Sequence, residues 1–272
     1  MDKPIEFSFG DDSIAKSYDK ILVPSLFEPW TLQLIEKNQP WAGKRVLDLA
    51  CGTGVVTKEL ARNVSPNGSV IALDLNDQML AVAKSKCKEW EYCIDFIKGS
   101  CESMAIEDSS VDIVVCQQGF QFFPNKQVAA LEIYRVLKPG GRVIVSTWCP
   151  VSECEIFGVI SETLEALNEI EISKMIRVPF DFMPPSELQE AFRTAGFSKI
   201  ALSKEEMNLY LEREVDNALI FAYATPIAPK LKELSVEKRE EFHKAFAAKM
   251  QRISHDERNC GQMVSNILTA NK

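Results

Sequence analysis

The residues best suited to chemistry lie in the segment Val46-Leu47-Asp48-Leu49-Ala50-Cys51-Gly52-Thr53-Gly54. An apolar run leads straight into a turn whose two glycines let backbone approach a ligand closely. Twenty residues beyond Gly54, Asp74 closes a second apolar run, where a carboxylate can accept hydrogen bonds from both hydroxyls of a ribose. Turn and acid together describe a nucleoside site.

Two cofactor classes compete for such a site. A nicotinamide dinucleotide enzyme wants a third glycine for tight helix packing and a free helix N-terminus for pyrophosphate. Thr57 stands at that third position. Asp48, ahead of the glycines, would repel a pyrophosphate, but it suits a ligand with an ammonium group and no phosphate, such as S-adenosylmethionine (SAM). An NAD(P)-dependent oxidoreductase is the weaker reading, and a SAM-binding regulator without catalysis is a third.

Composition restricts the partners. Among 272 residues the net charge is −8, and no Lys/Arg cluster is interleaved with aromatics, so nucleic acid is not expected as a substrate. Apolar runs such as Val111 to Cys116 fall far short of the ~20 residues that span a bilayer, and no signal peptide is visible. The 8 cysteines form no C-x-x-C pair and read as reduced thiols of a cytoplasmic protein. Acids outside the glycine turn, such as Asp112, are isolated, so no metal site is expected. His243 and His255, the only histidines, sit among charges near a predicted exposed helix and are not expected to act as a general base.

The elements that must position these groups follow from the apolar pattern. Compact apolar or β-branched runs predict strands at Arg45–Ala50, Val70–Leu73, Asp95–Lys98, Val111–Cys116 and Arg142–Thr147. Helices are predicted between them at Val55–Asn63, Asp77–Cys87 and Asn125–Leu137, the last before the turn Lys138-Pro139-Gly140-Gly141. This alternation is an α/β core with a parallel sheet. Beyond Trp148 helices are predicted at Glu153–Ile170, Pro185–Ala195, Glu214–Ala224 and Val236–Ile253, with strand-like runs at Lys199–Leu211 and Gln262–Ala270. Ile14–Asn38 reads as helix interrupted near Pro24 and Pro29.

Four motifs occur in order: D-L-A-C-G-T-G at 48–54, A-L-D-L-N at 72–76, G-S-C-E at 99–102 and R-V-L-K-P-G-G-R at 135–142. Over residues 14–148 the chain resembles the class I SAM-dependent methyltransferases, in the branch of the ubiquinone and menaquinone biosynthesis methyltransferases. The resemblance implies a Rossmann-like, doubly wound seven-stranded sheet with a reversed last strand, an N-terminal helical lid at 10–39 and helical cap inserts at about 153–176 and 214–256. One domain, 1–272, is implied, with its core at about 40–150 and 185–272. It also implies that Asp48, Gly52 and Gly54 hold the methionine end of SAM and Asp74 its ribose, with Leu75 and Met79 on the adenine faces and Ala50 and Cys51 also at the cofactor. Cys101 and Glu102 would lie at the adenine edge. Where many relatives place an aspartate for the adenine amino group, this chain has Ser100.

On the acceptor side, the segment Cys116 to Pro124 follows the fourth strand, where such enzymes turn a loop toward the methyl group. Gln117, assigned to the cofactor, and Gln118, assigned to the acceptor, are the residues expected beside it. The loop lacks the Asn/Asp-Pro-Pro-aromatic motif used on exocyclic amines of macromolecules. Tyr18, Phe27, Trp30, Phe120, Phe122 and Trp148 could wall an aromatic pocket, so the expected acceptor is a small, partly hydrophobic metabolite. Transfer would be an in-line displacement that leaves S-adenosylhomocysteine, aided by alignment and exclusion of water. The residues specify no oligomeric state.

Overall fold

A computed structural model describes residues 12–181, 183–210, 218–254 and 259–272. Helix α1 (Asp12–Ser17) passes through a wider π-type stretch, Tyr18–Phe27, into α2 (Glu28–Lys37). Pro24 lies inside the wider stretch, and Pro29 sits in the first turn of α2, where a missing N–H is tolerated. The α/β alternation follows: β1 (Arg45–Leu49), α3 (Val55–Val64), β2 (Ser69–Asp74), α4 (Asp77–Lys86), β3 (Ile94–Lys98), β4 (Val111–Gln117), α5 (Lys126–Val136) and β5 (Leu137–Trp148). Then come α6 (Glu155–Ala166), α7 (Ile170–Asp181), α8 (Pro185–Thr194), β6 (Ser198–Tyr210), α9 (Leu219–Tyr223), α10 (Ala228–Glu233), α11 (Val236–Ile253) and β7 (Asn259–Asn271).

The strands form one sheet in the order β3-β2-β1-β4-β5-β7-β6. Pairings among β1 to β5 are parallel, as crossovers through helices require. Lys272 N–H donates to the Gly141 carbonyl and Cys149 N–H to the Val264 carbonyl, so numbers rise along β5 as they fall along β7. Strand β7 is therefore the reversed strand the sequence implies.

Three expectations are corrected. Strand β5 already starts at Leu137, paired with Val111, and the Lys138–Gly141 turn is an excursion before pairing resumes between Ile113 and Arg142. The helix predicted over 153–170 ends earlier, because Asn168 turns left-handed (φ 59°) and α7 starts afresh at Ile170. Helix α10 was not predicted. Residues 214–217 of the predicted Glu214–Ala224 helix, and His255, lie outside the described residues.

The chain divides into two compact units. The larger comprises Phe27–Thr147, Met183–Glu205 and Ser265–Lys272. Its two apolar clusters reflect the period-two alternation of strands: Leu47, Leu49, Val143 and Val145 join one, while Val46 and Ile144 join the other. The parallel strands read as nearly unbroken apolar runs because both faces are buried. The smaller unit comprises the described residues among 12–26, 148–181 and 206–264, so the predicted lid is split between the units at Phe27. Within it Phe157 and Phe180 meet at 4.7 Å, and Phe242, Phe246 and Met250 form the buried face of α11.

Candidate cofactor and acceptor site

The sheet order reverses between β1 and β4, and in open α/β sheets ligands bind at the carboxyl ends of the strands flanking that switch point. Both strands leave through a left-handed residue that carries a β-carbon: Ala50 (φ 59°) after β1 and Gln118 (φ 56°) after β4. Such backbone is costly and concentrates at functional sites. The two turns touch. A β-carbon at Gly119 would stand 2.7 Å from that of Ala50, so only glycine fits there.

Asp48, on β1, is 1% exposed. One carboxylate oxygen accepts from the Thr57 hydroxyl at 2.5 Å, which gives the residue at the third-glycine position a purpose the spacing alone did not reveal. Burial pushes this carboxyl up to about 7; the nearby Asp74 charge adds to the rise, and the Thr57 hydrogen bonds oppose it. No cation among the described residues pairs with it.

The glycine turn is braced by Asp74. Its two oxygens accept from Gly52 N–H (2.8 Å) and Asn76 N–H (2.9 Å), and burial raises its pKa against these bonds. Asn76 caps α4, accepting from the Gln78 and Met79 amides. A β-carbon at Gly54 (φ 80°) would meet Ala83 Cβ at 2.9 Å, so this glycine allows the turn to pack on α4. Around the β-carbon position of Gly52 (φ 54°) nothing lies within 4 Å. Next to Asp74, Leu75 exposes 68% of its surface, whereas Met79 and Cys51 are buried.

The other expected residues are engaged as follows. The Ser100 hydroxyl accepts from Glu102 N–H, and Glu102 itself accepts from Asn125 N–H at the start of α5. Cys101 is buried, its thiol pushed up to about 11 by burial first and then by Glu102. Gln117 directs its amide to the Phe27 carbonyl (3.2 Å) and the Thr31 hydroxyl (3.0 Å), tying the start of α2 to the end of β4. Phe27 is buried there, and Phe122 is 37% exposed. Gln118 turns its amide to Ser265 on β7 (2.9 Å). Tyr18 and Trp148 belong to the smaller unit, where Trp148 faces Phe180 at 6.3 Å between ring centres.

Thr31 and Ser265 were not singled out from the sequence, and Thr57 only as the residue standing where a third glycine would be; lone hydroxyl residues carry no pattern. Arg135, noticed only as part of a family motif, is a structural clamp. Its guanidinium donates to the Met104 and Ile106 carbonyls and to Glu132 and Asp108, fixing the loop that carries Cys101 and Glu102.

A Rossmann-like sheet with this strand order, a glycine turn between a buried and a half-buried carboxylate and no third glycine fits a SAM-binding transferase. The comparisons agree. The chain belongs to the ubiE/COQ5 methyltransferase family, whose model matches residues 9–162. It is 31% identical over 207 residues to a demethylmenaquinone methyltransferase of Lactococcus lactis, covering 71% of this chain and 82% of that protein. It is 35% identical over 139 residues to a ubiquinone/menaquinone biosynthesis C-methyltransferase of Hahella chejuensis, covering 49% of this chain and 56% of that one. The fold matches phosphoethanolamine N-methyltransferase 2 of Haemonchus contortus, solved with SAM (TM-score 0.60, 20% identity, 96% of this chain, 57% of that one). It also matches a SAM-dependent methyltransferase of Aquifex aeolicus (TM-score 0.52, 19% identity, 73% of this chain, 93% of that one). The protein is a SAM-dependent methyltransferase with a small-molecule acceptor, and the oxidoreductase reading is set aside.

The residues present fit SAM. Asp48 is a buried carboxylate suited to an ammonium, Gly52 leaves an open cradle, and Leu75 offers an uncovered apolar face beside Asp74. Among the described residues no helix is long and apolar enough to cross a membrane.

Proposed function

We propose that the acceptor is the ring carbon of a hydroquinone, of the kind named for the Lactococcus and Hahella relatives. The observation that carries this reading is the 31% identity sustained over 207 residues, which extends well beyond the cofactor motifs. When bound, SAM supplies an electrophilic methyl: the ring carbon's electron pair forms the new C–C bond, the S–CH3 pair returns to sulfur, and the displaced ring proton leaves to water. A hydroquinone ring is electron-rich enough to attack without a strong base, and the expected site residues include no histidine. Asp48 takes the ammonium of the cofactor, Asp74 the ribose, and Leu75 with Met79 the adenine. Phe27 and Phe122 line the acceptor side. The 8 buried, free cysteines suit a reducing cytoplasm.

The test is methyl transfer from labelled SAM to naphthalene-1,4-diol under reducing conditions, with phosphoethanolamine in parallel. The expected product is the diol methylated on carbon. Transfer to phosphoethanolamine with none to the diol would refute the reading.

A further inference from the structure

Gln118 carries two strains that its own fold leaves uncompensated. Its backbone is left-handed, and its Oε1 is buried with no hydrogen-bond partner among the described residues, in a residue only 6% exposed. The amide cannot relieve this by turning over. Ser265 Oγ has one proton, which it directs at the carbonyls of Thr147 (3.0 Å) and Asn266 (3.4 Å). While it donates there it accepts from Gln118, which sets Nε2 toward Ser265 and Oε1 on the other side. The chain Gln118 to Ser265 to Thr147 thus runs one way and leaves a buried oxygen that can only accept.

The location of that oxygen is informative. Gln118 N–H donates to the Ser146 carbonyl at the end of β5, and the next residue packs against Ala50, directly before the glycine turn. The orphan acceptor therefore belongs to the residue where β4 exits beside the cofactor turn.

We infer that Gln118 Oε1 accepts the hydrogen of a ring hydroxyl on the methyl acceptor, an inference that rests on the hydroquinone reading above. A hydroxyl satisfies the buried oxygen. A quinone carbonyl or an ether in the same place brings a second acceptor against it, and both buried acceptors stay unpaired. The same bond orients the ring and, by drawing on the O–H proton, raises electron density at the neighbouring carbon. Gln118 is in this sense the residue that reads whether the acceptor presents a donor.

The experiment compares naphthalene-1,4-diol with 1,4-dimethoxynaphthalene, which keeps the rings and loses both O–H groups. The wild-type enzyme should bind the diol at least tenfold more tightly than the ether, measured by KM and by competitive inhibition. Gln118→Met should raise the KM for the diol at least tenfold, leave the ether's inhibition constant unchanged or lower it, leave the affinity for SAM unchanged, and so erase the preference. Ser265→Ala provides a second route: it frees the amide to rotate, and the preference should shrink while the rest of Gln118 stays in place. Equal binding of both ligands by the wild type overturns the inference without any variant. So does a Gln118→Met enzyme that weakens for both ligands alike, as a purely structural residue would, or one that loses affinity for SAM, which would place the oxygen on the cofactor. If the diol is neither bound nor methylated, the hydroquinone reading and the inference fall together; if it is methylated without preference over the ether, only the inference falls.

Discussion

Replacing Asp48 by asparagine should strengthen the fold while weakening the hold on SAM. The carboxyl is 1% exposed and has its pKa raised from 3.8 to about 7, chiefly by burial. A group whose folded-state pKa is raised contributes its stability below the unfolded value and loses it as pH rises through the folded one. For Asp48 the loss begins near pH 4 and is complete above pH 7. Three pKa units correspond to about 4 kcal/mol, of which roughly 2.5 kcal/mol should develop between pH 5 and pH 8. Asparagine has nearly the same shape and no charge, and its carbonyl can still accept from Thr57. The variant should therefore melt higher than the wild type at pH 8, by something on the order of 5–10 °C, with a much smaller gap at pH 5. Calorimetric titration of the same variant at pH 8 should show SAM bound roughly 10- to 100-fold more weakly, for want of a charge-assisted bond to the ammonium. Because the ammonium requires the ionised carboxylate, wild-type affinity should also fall by up to about tenfold per pH unit below 7. A melting difference that does not change with pH, or a variant that keeps its affinity for SAM, would refute the reasoning.

Three further outcomes are expected. Gly54→Ala should cost about 2–3 kcal/mol in denaturant unfolding, since it adds left-handed strain to a contact with Ala83, whereas Gly52→Ala, with open space around it, should cost about 1 kcal/mol and act mainly on SAM binding. Asp74→Asn should weaken SAM binding by about 1–3 kcal/mol in calorimetry, and Asp74→Ala should also destabilise the protein, because the carboxylate holds the Gly52 and Asn76 amides. Arg135→Met should lower the unfolding free energy by about 2–4 kcal/mol by stranding the Met104 and Ile106 carbonyls; a loss of activity with unchanged stability would instead give Arg135 a role in the site.

The core was legible in the sequence because strands buried on both faces must be written as nearly unbroken apolar runs, and β1 to β4 fall within two residues of the predicted bounds. Gly52, Gly54, Asp48 and Asp74 were legible because backbone freedom and charge at fixed spacing have few other uses. What escaped depends on partners far away in the chain. The Gln118–Ser265 bond joins residues 147 apart, and the Gln117–Thr31 bond residues 86 apart, so no local pattern announces either. The break between α6 and α7 rests on one left-handed asparagine inside a continuous amphipathic pattern, and only the fold shows that Asn168 ends the helix.

The most direct measurement is calorimetric titration of the purified protein with SAM, S-adenosylhomocysteine and NADH side by side. Both sulfur compounds should bind at one site per chain, and NADH should not bind. Binding of NADH, or no binding of either sulfur compound, would contradict this.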